Sequence, residues 1–82
     1  MSKNNLALIR RARGFTQKEL AVKMGLPQTW VSRYESGVLS IENITLKNAV
    51  ALAKALDCHV EDFLGEPKEE FIVLAAANKI ER

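Results

Sequence analysis

The sequence contains 82 residues, carries a net charge of +2 and has a single cysteine. A chain of this size forms one small domain that buries about 60% of its unfolded surface, which suits a helical core but not an enclosed cofactor pocket. One cysteine excludes an internal disulfide, and no apolar run approaches the roughly 18 residues needed to cross a bilayer. Because no charged-then-apolar leader is seen either, we expect a cytoplasmic protein.

Charge is distributed unevenly along the chain. Residues 1–33 carry seven basic side chains and one acidic one, a net charge of +6, whereas residues 34–82 carry five basic and nine acidic ones, a net charge of −4. A basic region favours approach to phosphates, since counterion release supplies most non-specific DNA affinity. Basic surfaces are often merely solvated, so this asymmetry indicates DNA only together with a suitable motif.

The first helix is expected between about Leu6 and Arg13, with Leu6 and Ile9 facing the core and Gly14 at its end. Arg10 lies beside this inner stripe. A charge there needs an ionic partner.

Thr16 and Glu19 form a capping box, in which each side chain satisfies a free backbone N–H at a helix start. A second helix is therefore predicted from Gln17, and Gly25 supplies the left-handed residue that ends it. A third helix follows at once, opened by Pro27. Two short helices joined so closely cannot pack parallel to each other.

The third helix is predicted to end at Gly37 and to turn Val31 and Tyr34 inward. The two helices together resemble the helix-turn-helix of the phage repressor and Cro family, the XRE-type regulators. The matching residues are Thr16, Gln17, Leu20, Ala21, Gly25, Val31, Tyr34, Glu35 and Gly37.

The resemblance extends from about Leu6 to Leu64. It implies an all-α fold, a compact five-helix repressor-like domain over residues 1–65, and sequence-specific binding of double-stranded DNA in the nucleoid. It also implies that Arg10 forms a structural ion pair with Glu35.

The outward face of the third helix is predicted to read bases in the major groove. Glutamine pairs bidentately with adenine, arginine pairs with guanine, and a threonine methyl contacts thymine. The predicted base-reading residues are Gln28, Thr29, Ser32 and Arg33. Any exposed helix has such a face, so solvation is the competing interpretation.

Phosphate contacts are predicted on both sides of that helix. Gln17 opens the second helix, where backbone N–H groups and the helix dipole attract anions. The bulk of Trp30 favours partial packing as well as a position beside the sugar-phosphate backbone. The predicted phosphate-contacting residues are Gln17, Lys18, Trp30, Arg11 and Asn43.

The loop over residues 38–44 is about three residues longer than the family connection, and it is apolar and acidic. It either contacts DNA or folds back on the core, and its apolar residues favour the core. A fourth helix is expected after Thr45, followed by a short fifth helix, HVEDFL. The inner stripe of the fourth helix is predicted to comprise Leu46, Ala49, Val50, Ala53 and Leu56.

Cys58 and His59 are adjacent, but they cannot make a four-ligand zinc site by themselves, so no metal and no cofactor is predicted. An enzyme is disfavoured as well, because the chain has one histidine and no phosphate-cradling glycine loop.

Residues 66–82 form an extension beyond the family domain. Pro67, acids near the start and bases near the end favour a helix, although FIVL by itself also suits a strand. Its apolar face packs either on its own domain or on a second subunit.

Because one recognition helix covers too few base pairs to select a genomic site, a homodimer on palindromic DNA is expected. The predicted interface comprises Phe63, Phe71, Ile72, Leu74 and Ile80.

These features favour a dimeric transcriptional repressor. The alternative is an antitoxin-like or other interaction module, whose C-terminal tail captures a partner protein.

Overall fold

A computed structural model describes residues 4–78. It contains five α-helices, named α1 (Leu6–Ala12), α2 (Gln17–Met24), α3 (Gln28–Ser36), α4 (Leu46–Leu56) and α5 (Glu69–Asn78). Turns of 3₁₀ helix lie at Ile41–Asn43 and Val60–Phe63. No strand occurs among the described residues, and the all-α prediction is confirmed. None of these helices has the length and apolar character needed to span a membrane.

Local chemistry accounts for the α2–α3 corner. The Thr16 hydroxyl accepts the Glu19 N–H at 3.1 Å, and the Thr16 N–H donates to the Glu19 carboxylate at 2.8 Å. Gly25 then adopts a left-handed conformation with φ of 71°, which ends α2 and redirects the chain. Pro27 serves as the N-cap of α3 rather than as its first helical residue.

The core draws residues from all five helices and from both 3₁₀ turns. Its buried members are Leu6, Ile9, Ala12, Leu20, Ala21, Val31, Ile41, Leu52, Ala53, Leu56, Phe63 and Phe71. Ile41 brings the long 38–44 loop back onto this core, as the sequence favoured, while Val38 remains 70% exposed.

The inner face of α4 differs from the predicted stripe. Leu46 and Val50 are exposed, and the buried face is formed by Ala49, Leu52, Ala53 and Leu56. Two adjacent stripes on α4 satisfy helical spacing equally well, and only packing against the other helices selects between them.

The segment predicted as a short fifth helix is instead the 3₁₀ turn Val60–Phe63. The Asp62 carboxylate accepts the His59 N–H at 3.0 Å, which starts this turn. The Phe63 side chain fills the core and is only 2% exposed. Phe63 is therefore not available for the dimer contact predicted from the sequence.

The extension forms helix α5, which packs on α1 of the same chain. Phe71 is 3% exposed within the core, so the expectation that the core does not need it, and its assignment to a dimer interface, are both wrong. The Asn78 amide donates to the carbonyls of Arg11 and Ala12 at 3.0 and 2.8 Å, which caps the end of α1. Ile80, another predicted interface residue, lies outside the described residues.

Arg13 joins α1 to the end of α4. Its guanidinium donates to the carbonyls of Leu56 and Asp57 at 2.8 and 2.7 Å, and it lies 5.3 Å from the centroid of the Phe71 ring. Its charge satisfies the carbonyl groups at a helix C-terminus.

Candidate nucleic-acid interface

Helix α3 has one buried side and one exposed side. Val31 is fully buried, and Tyr34 is half-buried against the same core. The opposite side carries the four residues predicted to read bases, of which Ser32 is half-buried and the others exposed: Gln28, Thr29, Ser32 and Arg33. The structure thus places all four on the outward surface of one helix.

Trp30 lies at the edge between these two sides. Its ring packs on the core and is tilted by 55° against the Tyr34 ring, with 4.8 Å between centroids. The partial packing expected of Trp30 is therefore seen. Its expected contact with the sugar-phosphate backbone stays a prediction.

A buried ion pair connects α3 to α1. The Arg10 side chain has no exposed surface, and its Nε and Nη2 donate to the Glu35 carboxylate at 2.5 and 3.2 Å. The remaining Nη1 donates to the carbonyl of Phe15 at 2.7 Å. In this fork each charge has its partner. The pair matters for stability, because a buried charge that loses its partner is strongly destabilising.

Gln17 extends this network to the base-reading face. Its amide donates to Glu35 Oε1 at 2.9 Å, and its own oxygen lies 3.5 Å from Nε2 of Gln28. One N–H of the Gln17 amide remains to donate to a phosphate oxygen. The network therefore runs from the buried Arg10 to Gln28 on the exposed surface.

The predicted phosphate-contacting residues flank α3 at two places. Arg11 and Gln17 line one shallow cleft together with Ser32 of α3. Lys18 is exposed one residue further along α2, whereas Asn43 is exposed on the 3₁₀ turn of the long loop. Residues from α1, α2 and α3 therefore line one cleft beside the outward face of α3.

This arrangement agrees with a comparison of the sequence with known families. The Helix-turn-helix family model matches residues 6–63, which includes α1 to α4 and most of the chain. The chain belongs to this family. The resemblance to XRE-type helix-turn-helix regulators is thereby confirmed, and the protein is a DNA-binding transcription regulator. A search of the curated proteins finds no match.

In this helix-turn-helix protein, sequence reasoning missed one residue near the recognition helix. The Asn4 amide donates to the carbonyl of Tyr34 at 2.8 Å, and its oxygen accepts the N–H of Leu6 at 2.9 Å. The sequence indicated only that an asparagine before the first helix can serve as its cap. No sequence signal points to Tyr34, because the donor and acceptor are 30 residues apart.

The remaining reactive groups do not form a second site. Burial raises the pKa of the Cys58 thiol to about 11, so the nucleophilic thiolate is scarce at neutral pH. Among residues 4–78, no three side chains of His, Cys, Asp or Glu cluster at metal-binding distances.

Proposed function

We propose that this helix-turn-helix protein is a sequence-specific repressor that binds a palindromic operator as a homodimer. The observation that carries this proposal is the exposed polar face of α3, held in place by the buried Arg10–Glu35 ion pair. An exposed helix face with Gln and Arg side chains matches the donor and acceptor pattern of the major groove.

Two copies are needed to explain specificity. A recognition helix of nine residues is about 13 Å long and covers only about four or five base pairs. A bacterial-sized genome offers on the order of a million competing positions, so the base pairs that one helix covers are too few to select a single site. A two-fold axis repeats the contact at half-sites about 34 Å apart.

The outer face of α5 is the surface that we assign to the second copy. The predicted interface residues Ile72 and Leu74 are 46% and 38% exposed there, and Val73 between them is 58% exposed. Because Phe71 on the inner side is buried in the core, α5 is apolar on both sides. A helix of that kind is normally covered on both sides in the functional assembly.

Repression follows from occupancy in this proposal. Two copies of α3 enter successive major grooves and cover promoter DNA, which excludes the polymerase from the same site. No ligand or enzymatic step is required.

Selection from a pool of random double-stranded DNA tests the proposal. We expect enrichment of an inverted repeat whose half-sites are about 10 base pairs apart. Failure to enrich any sequence would show that binding is non-specific, and enrichment of a single half-site would contradict the dimer.

The interface assignment has its own test by sedimentation. Val73→Asp places a charge in the proposed interface without touching the buried side of α5, and it should convert the dimer to a monomer. Val22→Asp is the matched control, because Val22 is 71% exposed on α2. If both variants dimerise with equal affinity, α5 is not part of the interface.

The exposed apolar face of α5 also supports the antitoxin-like alternative, in which α5 captures a different protein. Acidic residues Glu69 and Glu70 open this helix and would favour a basic partner. A wild-type protein that is monomeric at all concentrations and shows no half-site pairing on DNA would favour this alternative.

A further inference from the structure

We propose that Asn4 is a positioning residue for DNA recognition, which holds α3 at the angle its base-reading side chains require. This inference rests on the proposed reading of bases by α3. Asn4 precedes α1, far in sequence from α3, and it has no predicted contact with DNA.

Both polar ends of the Asn4 amide are used. Nδ2 donates to the Tyr34 carbonyl at 2.8 Å, and Oδ1 accepts the Leu6 N–H at 2.9 Å. The oxygen therefore satisfies the N–H of the first residue of α1, while the nitrogen binds the backbone near the C-terminal end of α3. Because Tyr34 supplies a main-chain atom, the bond restrains the helix itself and not a movable side chain.

The other polar connections of α3 restrain it less directly. The carbonyl of Arg33 is satisfied locally by the Leu39 N–H and the Ser36 hydroxyl, which belong to α3 and the loop that follows it. The Arg10–Glu35 pair acts through two side chains with several rotatable bonds each. At the N-terminal end of α3, the Gln28 to Gln17 contact is long, at 3.5 Å.

Geometry explains why this bond affects recognition. Gln28 lies six residues before Tyr34, which is about 9 Å along the helix axis. A tilt of about 6° at Tyr34 therefore moves Gln28 by about 1 Å, on that rise per residue. Bidentate contacts to base edges do not tolerate such a shift, whereas phosphate contacts carry no sequence information and adapt to it.

Two substitutions at Asn4 separate its two bonds. Asn4→Ser keeps a side-chain oxygen for the Leu6 N–H, but its short hydroxyl does not reach the Tyr34 carbonyl, and Asn4→Ala removes both bonds. Binding is measured by titration of the full chain with the duplex selected by the wild type and with a scrambled duplex. Thermal melting of each variant is measured in parallel.

We expect Asn4→Ser to weaken binding to the selected duplex about 3- to 10-fold, the effect of one hydrogen bond, with unchanged binding to the scrambled duplex. Asn4→Ala should lose the same specificity and should also melt at a lower temperature. Wild-type specificity in Asn4→Ser, or an equal loss on both duplexes, would overturn the proposal.

Asn5→Ser is the matched control. The Asn5 amide donates to the carbonyls of Asp62, Leu64 and Gly65, and it makes no bond to α3 among the described residues. The Asn5→Ser variant should have a lower melting temperature than the wild type and the same ratio of specific to non-specific DNA affinity. The same loss of specificity in Asn5→Ser would also overturn the proposal. If the wild type selects no sequence at all, the proposed function fails before this inference is tested.

Discussion

Helix α1 holds two other helices, α3 and α5, by different kinds of contact. It holds α3 through the Arg10–Glu35 ion pair, and Asn4, just before α1, adds a bond to the Tyr34 carbonyl. It holds α5 through the buried ring of Phe71 and a cap from Asn78. Polar bonds have a strict geometry but a small net energy, whereas apolar burial is strong and non-directional. The difference indicates that the contact of α5 stabilises the domain without fixing a direction, while the polar contacts of α3 also restrain its orientation.

The largest effect is expected when the apolar contact is removed. Phe71→Ala should destabilise the protein by about 3 to 5 kcal/mol, because it leaves a cavity between α5 and α1. Urea unfolding, followed by fluorescence of the single tryptophan, measures this effect. Val22→Ala, at a 71% exposed position on α2 outside the proposed interface, should cost less than about 1 kcal/mol. Equal stabilities of Phe71→Ala and the wild type would mean that α5 is not part of the core.

Removing the ion pair should have the next largest effect on stability. Glu35→Gln leaves the fully buried guanidinium of Arg10 without a countercharge, at a cost of about 3 kcal/mol. Glu42→Gln, at an exposed acid in the loop, provides the control and should melt like the wild type. An unchanged melting temperature for Glu35→Gln would show that the pair contributes nothing to stability.

A substitution on the exposed side of α3 should alter DNA binding without altering the fold. Arg33→Ala should cost about 1 to 3 kcal/mol of binding free energy and relax the preference at one base position. Lys18→Ala should weaken binding to all sequences alike and lower the salt dependence by about one phosphate. Equal losses for Arg33→Ala on selected and random DNA would place Arg33 at the backbone.

The smallest effect is expected at the start of α5. Hydrogen bonds from Lys68 and from the His59 N–H lower the pKa of Asp62, whose ordinary value is 3.8. The stabilisation by these hydrogen bonds to ionised Asp62 is therefore complete above the ordinary pKa. It is lost as the pH falls through the lower pKa of the folded state. Melting temperatures of the wild type and Lys68→Gln, measured from pH 7 downward, should converge at acid pH. A constant difference over this range would contradict the linkage.

Local signals predicted the parts of the fold that local chemistry determines. The capping box at Thr16 and the left-handed Gly25 fixed α2 and its end, because their hydrogen bonds lie within a few residues of each other. Similarly, the outward face of α3 followed from helical spacing alone. The Arg10–Glu35 pair was expected only through the resemblance to the family, since spacing shows a misplaced charge but not its partner.

Features that depend on packing were not predictable in the same way. Phe71 and Ile72 are adjacent apolar residues, and only the position of α5 against α1 decides that the first is buried and the second is not. The charge of Arg13 is visible in the sequence, whereas the carbonyls to which it donates, more than 40 residues away, are not.

The contact between α1 and α5 also joins two parts of the chain that the ribosome makes at different times. Asn78 binds the carbonyl of Arg11 across 67 positions of the chain, and the Asn5 N–H similarly binds the Phe63 carbonyl. The ribosome therefore finishes α3 well before the residues that secure α1 exist. A nascent chain that ends before α5 already contains all four predicted base-reading residues, but its α1 is not yet bound to α5. Helix α5, which is made after α3, therefore completes the support of α1.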